Sequence, residues 1–146
     1  MRILGIDLGL KRTGLALSDE MGLSVSILPN LQASSRAMAV DKLISLVSER
    51  QIKIIIIGRP EPRSDYSKAV AKRAEGLSFA LAEKILALGL EVEIKLWDEA
   101  YSSKQAAAGL VLSGVAQKKR QKKLDGASAA VMVEDFLHSV VAKDRI

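Results

Sequence analysis

The sequence predicts an α/β fold, a five-stranded mixed sheet with three antiparallel strands followed by parallel ones, flanked by helices. Three observations carry that expectation. The chain opens with three strand-like segments and no helix between them. After them, apolar strands alternate with segments of helical periodicity, the pattern of a sheet with helices packed on it. At residues 54–57 stand four consecutive isoleucines, a run that suits a parallel central strand buried on both faces.

The elements follow in order. Residues 2–7 read as a buried strand, residues 9–11 as a turn, and residues 12–18 as an antiparallel return strand. Residues 24–31 form a third strand, whose end Pro29 assigns to an edge or loop. Ser34 or Ser35 can cap a helix reaching about residue 50, with Met38, Leu43, Leu46 and Val47 near helical spacing. The isoleucine strand spans residues 53–57, and Gly58-Arg59-Pro60-Glu61-Pro62 then breaks regular structure. A long helix is expected over residues 65–88, with Gly89 as its stop. Residues 91–97 alternate charged and apolar side chains, the mark of a strand with one wet face. Ser102 or Ser103 starts a helix ending near residues 113–114. A basic segment follows, and the last helix is expected over residues 125–141. There is no internal repeat and no Gly/Ser linker, so residues 1–146 read as one domain.

Composition narrows the chemistry. Apolar residues make up 49% of the chain and aromatics only 3%, so the core must be built from Ile, Leu, Val and Ala. Net charge is +5, from 22 basic and 17 acidic residues, which favours an acidic partner such as nucleic acid without requiring one. The absence of cysteine excludes disulfides and thiolate metal sites. A single histidine argues against a His-rich zinc site and leaves carboxylates as the ligands for a hard cation such as magnesium. The apolar run after Arg2 is too short for a signal peptide and is interrupted by Asp7. No apolar stretch approaches the ~20 residues that span a bilayer. A soluble cytoplasmic protein with no membrane partner is the expectation.

Acidic residues fall where elements begin or end. Asp7 closes the first strand, and a carboxylate at the tip of a buried strand is costly unless it is paired or binds a metal. Asp98-Glu99 closes the last strand, and Asp125 opens the last helix. In α/β sheets, ligands gather beyond the carboxyl ends of parallel strands. If the first, fourth and fifth strands are parallel neighbours, Asp7 and Glu99 converge there, and the last helix can bring Asp125 beside them. Three such carboxylates repel one another, and divalent cations relieve that repulsion. Each residue also has a plainer reading. Asp7 could cap a turn, Asp98-Glu99 could be a solvated strand end, and Asp125 could be a helix N-cap. Strand alternation points Asp98 and Glu99 to opposite faces, so one of the two faces the metal.

Basic residues lie near the same sheet end. Lys11 and Arg12 are in the first hairpin, and Arg59 follows the isoleucine strand. Lys118, Lys119, Arg120, Lys122 and Lys123 occupy five of the six positions from 118 to 123. Such a run is usually a solvated loop. Beside a carboxylate site it could also neutralise a nucleic-acid backbone while reading little sequence. Trp97 reads as core, and Tyr101 as a substrate or loop contact.

With these residues assembled, the chain resembles the YqgF (RuvX-like) family, small bacterial proteins related to the Holliday junction resolvase RuvC. GIDLGLKRTGLALSD is similar to the family's opening signature, and IIIIGRP to its apolar strand followed by Gly-x-Pro. LWDEAYSS resembles the D-E-R-hydrophobic-S/T segment, and LDGASAAVMVEDFL the closing D-x-x-A/S-A segment. The resemblance implies an RNase H-like fold and a phosphodiester-cleaving nuclease. It carries the family's acidic residues over to Asp7, Glu99 and Asp125. The implied substrate is precursor 16S ribosomal RNA, matured at its 5′ end, with Holliday junctions as the alternative. Ala100 stands where the family has Arg, so Arg59 or the basic run would have to supply that contact.

The expected mechanism is metal-assisted hydrolysis. Asp7 would bridge two magnesium or manganese ions, with Glu99 and Asp125 holding one each. Lys11, Arg12, Arg59 and the basic run would grip substrate. A nucleic-acid-binding module without turnover is the rival from another class. An actin-type ATPase also opens with D-x-G, but it binds nucleotide between two similar domains, and this chain is long enough for one. A junction resolvase needs two active sites and would dimerise. An RNA-processing enzyme could act as a monomer, so monomer and homodimer both stay open.

Overall fold

The opening apolar run forms β1 (Arg2–Leu8), and the chain turns back into β2 (Thr13–Ser18). Gly9 makes that turn tight. Its N–H donates to the Arg12 carbonyl at 2.8 Å, and a Cβ there would lie 2.7 Å from the same oxygen, so any other residue would force the turn open. β3 (Val25–Leu28) stops just before Pro29, as a residue without an N–H requires. The computed structural model describes the backbone of residues 1–98 and 117–144, and the side chains of residues 1–97 and 126–140.

Helix α1 (Arg36–Arg50) starts on Ser35, whose side chain accepts from the Met38 N–H at 3.1 Å. Its buried stripe is Val40, Leu43, Ile44 and Val47. Met38, expected on that stripe, is instead exposed, because it occupies the third helical position, next to the cap and beyond the edge of the sheet core. β4 (Ile52–Arg59) continues through Gly58 and Arg59, two residues further than the sequence suggested. Both pair with the next strand, so the break begins at Pro60. Helix α2 (Asp65–Leu88) has the expected bounds, with a reciprocal Ser64–Ser67 capping box at its start and Gly89 in the left-handed conformation at its end.

After β5 (Glu93–Asp98), the helix expected over residues 102–114 lies outside the described residues. The last helix, α3 (Gln117–Asp144), begins earlier than expected and takes in the whole basic run. Lys, Arg and Gln are good helix formers, and their propensity prevails over the loop reading of a charge run. Asp125 is therefore inside a helix and is not its N-cap.

The sheet order is β3-β2-β1-β4-β5. β1–β2 and β2–β3 are antiparallel, and β1–β4 and β4–β5 are parallel. The isoleucine run explains the central position of β4. Ile55 and Ile57 face the core shared with α1 and α2, while Ile54 and Ile56 face the cluster under α3. The α1/α2 side is a thick aliphatic core including Leu4, Ile6, Leu43, Leu77 and Leu81. On the α3 side the described core is built on Ile3, Ala16, Ile56, Ala129, Met132, Val133 and Phe136.

Candidate active site at the carboxyl end of the sheet

Strand alternation decides which way β1 presents its side chains. Leu4, Ile6 and Leu8 enter the α1/α2 core, and Ile3 enters the α3 cluster. Gly5 also faces α3, because a Cβ on it would lie 2.5 Å from Val133 Cγ2 and 2.9 Å from the Ala129 carbonyl oxygen. Asp7, two residues on, belongs to the α3 face and is half-buried at the strand's carboxyl end.

The register supplies what surrounds it. Asp7 pairs with Gly14 on β2. On the other side β1 pairs Ile6 with Ile57, which brings Gly58 level with Asp7. Gly58 in turn pairs with Trp97 on β5. The row across the sheet is thus Gly14, Asp7, Gly58 and Trp97. Asp7 is thus flanked on both neighbouring strands by residues without side chains. Trp97 closes the row, packing edge-on against Phe136 of α3 with centroids 5.6 Å apart.

Helix α3 is laid over this face by small residues and close contacts. Gly126 abuts Ile27 on β3, the Ala129 carbonyl abuts Gly5 on β1, and Leu137 reaches Gly22 in the β2–β3 loop. The helix therefore enters near the Asp7 end of the sheet and leaves near the opposite end. Position 125 is one turn before Ala129, on the entering side. The basic residues Lys118, Lys119, Arg120, Lys122 and Lys123 occupy the helical turns before it. No acidic residue stands in the first turn of this helix, so its positive dipole end and its basic residues add to each other.

The other expected site residues divide by position. Lys11 and Arg12 are exposed in the turn immediately above Asp7. Arg59 is at the same sheet end but on the α1/α2 face, where it pairs with Glu75 at 3.2 Å across half-exposed side chains. The structure thus separates Arg59 from Asp7 by the thickness of the sheet. Asp98 is the last residue of β5, in register with Arg59. Glu99 lies outside the described residues, as do Ala100 and Tyr101. Among the described residues, no group of three His, Cys, Asp or Glu side chains converges on one point. Also among them, no helix is long and apolar enough to cross a membrane.

Two features of the site were missed in the sequence. Gly14 and Gly58 flank Asp7 across the sheet, which alternation reveals only once the register is known. Arg73 of α2 donates to the Leu10 carbonyl at 2.9 Å and holds the β1–β2 turn from below. A contact spanning 63 residues leaves no local signal.

Comparison with known proteins places this geometry. The family model RuvX, described as "Holliday junction resolvase", matches residues 1–139. A Bacillus mycoides protein named "Putative pre-16S rRNA nuclease" is 32% identical over 141 residues, covering 95% of this chain and 99% of that protein. Among solved structures, Thermus thermophilus RuvC in complex with a Holliday junction substrate superposes with a TM-score of 0.60 at 17% identity, covering 97% of this chain and 96% of that one. The fowlpox virus resolvase with junction DNA gives 0.56 at 12% identity, covering 96% and 99%. At these identities the superpositions establish the shared RNase H-like fold.

Proposed function

The chain belongs to the RuvX family, and from that premise we propose that it is a divalent-metal-dependent nuclease that matures the 5′ end of precursor 16S ribosomal RNA. The observation that carries the reading is Asp7, a half-buried carboxylate at the carboxyl end of a central strand, flanked by two glycines under the entering end of α3. The relative from Bacillus mycoides supports the RNA substrate. Processing of ribosomal RNA would take place in the cytoplasm.

The residues suit a hard cation. The chain has no cysteine and one histidine, so an all-oxygen donor set is what it can offer, and oxygen ligands suit magnesium or manganese. Asp7, Glu99 and Asp125 would hold the metal. When bound, it supplies positive charge for the phosphodiester oxygens and lowers the pKa of water. The protein's own part is positioning. With glycines on both sides of Asp7, neither neighbour's side chain would compete with a backbone phosphate there. Lys11 and Arg12 hold the strand from the turn, and Lys118, Lys119, Arg120, Lys122 and Lys123 hold it from the first turns of α3. These contacts are to phosphates and would be strongly salt-dependent. Arg59 reaches substrate only if a strand crosses the sheet edge to its face. The single domain of residues 1–146 acts as a monomer in this reading.

A second reading is junction resolution by a homodimer, favoured by the family's description and by the junction-bound neighbours. One assay separates the two. Precursor 16S RNA and a four-way DNA junction are offered side by side with magnesium, manganese or chelator. The proposal expects metal-dependent cleavage of the RNA and none by Asp7→Asn protein. Preferential cutting of the junction would establish the second reading instead. Binding without cleavage of either substrate would leave a binding module.

A further inference from the structure

The face opposite Asp7 carries a cavity of which the nuclease reading uses only one lining residue, Lys11. It has a volume of about 340 Å³ and lies beneath the β1–β2 turn, between that turn and the start of α1. Three cations line it, Lys11, Arg36 and Arg73, together with the hydroxyl-bearing residues Thr13, Ser34 and Ser35. No carboxylate is among its described lining residues. Three positive charges around one concavity repel one another, and an anion relieves that repulsion.

Both arginines make packing or hydrogen-bond contacts. The guanidinium of Arg36 lies against Gly76 of α2, in the space a side chain there would fill. Arg73 is fixed by its 2.9 Å bond to the Leu10 carbonyl, and a guanidinium has further N–H donors to offer from that fixed position. The start of α1 adds to the field. Ser35 satisfies the Met38 N–H, while the first-turn donors of Arg36 and Ala37 precede any intrahelical partner. The first turn of α1 has no acidic residue to complement the helix dipole.

We infer that this cavity is a second phosphate-binding site, taking a phosphate group on the sheet face opposite Asp7. The chemistry is that of a phosphate monoester or diester met by two preset guanidiniums, a lysine, hydroxyls and a helix start. The volume falls at the lower end of ligand pockets, ~300–1,000 Å³, enough for a phosphate with its sugar. Two sources carry this group, a nucleic-acid strand passing over the β1–β2 turn and a free mononucleotide. The site stands on its own lining and does not depend on Asp7 being catalytic.

The test is an amide-resolved NMR titration of the full chain with inorganic phosphate, adenosine 5′-monophosphate and a ten-nucleotide RNA. It requires no cleavage, so its failure is distinct from failure of the nuclease reading. Shifts are expected to cluster at Leu10, Lys11, Ser34, Ser35 and Arg36. Arg36→Gln and Arg73→Gln should each weaken phosphate binding about tenfold, the loss of a hydrogen bond to a charged group. Arg36→Gln leaves the turn anchor at Leu10 intact and so guards against a folding effect. Saturation by the mononucleotide alone identifies a free ligand. Competition between mononucleotide and RNA for the same amides identifies a strand phosphate. Shifts clustered elsewhere for all three probes, or affinities unchanged in both variants, would overturn the inference.

Discussion

The two faces of the sheet are built on opposite principles. The α1/α2 face is filled with branched aliphatic side chains, many with no exposed surface at all. The α3 face is filled with close backbone approaches, at Gly5 and Gly126, and with small residues such as Ala16 and Ala129. The same strand feeds both: Leu4, Ile6 and Leu8 go one way, while Ile3, Gly5 and Asp7 go the other. The first face holds the protein together, and its polar groups lie at the margins of the aliphatic core. The second keeps its helix close through glycines and alanines, and holds a half-buried carboxylate at the carboxyl end of β1. The difference teaches where a charge can be placed in a small domain: on the face where a helix is drawn in by small residues, and not on the one filled by branched aliphatic side chains.

Substitutions should separate the faces. The largest effect is expected at Asp7. Asp7→Asn should reduce cleavage more than about 100-fold, since even partners one layer removed from a metal cost 10–100-fold. Its effect on urea stability should be small beside that of a core truncation, because an isosteric change at a half-buried strand end opens no cavity. On the other face Leu81→Ala should cost about 2–5 kcal/mol in urea unfolding, with the cleavage rate of the remaining folded protein intact. Parallel loss of stability and activity in both variants would erase the distinction.

Gly5→Ala sharpens the comparison. The new methyl would meet Val133 Cγ2 at 2.5 Å and the Ala129 carbonyl at 2.9 Å, so α3 must lift from the sheet. A cost of about 1–3 kcal/mol is expected from the overpacking, together with a fall in cleavage as position 125 moves away from Asp7. Val133→Ala in the same chain should recover part of the stability, since the side-chain clash is removed and the carbonyl contact remains.

The smallest effect concerns the far end of the sheet. Slight desolvation acts to raise the pKa of Asp19, but hydrogen bonds from the backbone of Leu23, Ser24 and Gly22 outweigh it and hold the carboxyl below its ordinary value of 3.8. The Leu23 N–H donates to Asp19 Oδ1 at 2.7 Å. A group with a lowered folded pKa stabilises fully above its unfolded pKa and loses that contribution as pH falls through the folded one. The protection of the Leu23 and Ser24 amides, measured against their intrinsic exchange rates, should therefore hold at neutral pH and fall only below about pH 4. Asp19→Asn should abolish that pH step.

Much of this was legible in the sequence because it is local. The isoleucine run could only be a two-faced strand, and residues 65–88 carried their own start and stop. Asp7 was visible because burying a charge is costly wherever it occurs. What the sequence concealed depends on partners far along the chain. The loop reading of residues 118–123 weighed charge over helix propensity, and so mistook Asp125 for a helix start. The placement of Arg59 on the α1/α2 face follows from alternation with Ile57, but only if β4 is known to continue past Gly58. The cavity under the β1–β2 turn combines a turn and two helices, and no motif announces it.

Asp7 is proposed as a metal ligand on the α3 face, and manganese can report on that directly. Paramagnetic broadening of backbone amides during a Mn²⁺ titration should appear first at Asp7, Gly14, Gly58 and the α3 turn containing Asp125. It should spare the α1/α2 core and disappear in Asp7→Asn protein. Broadening that survives Asp7→Asn unchanged, or that centres on another part of the surface, would contradict the account.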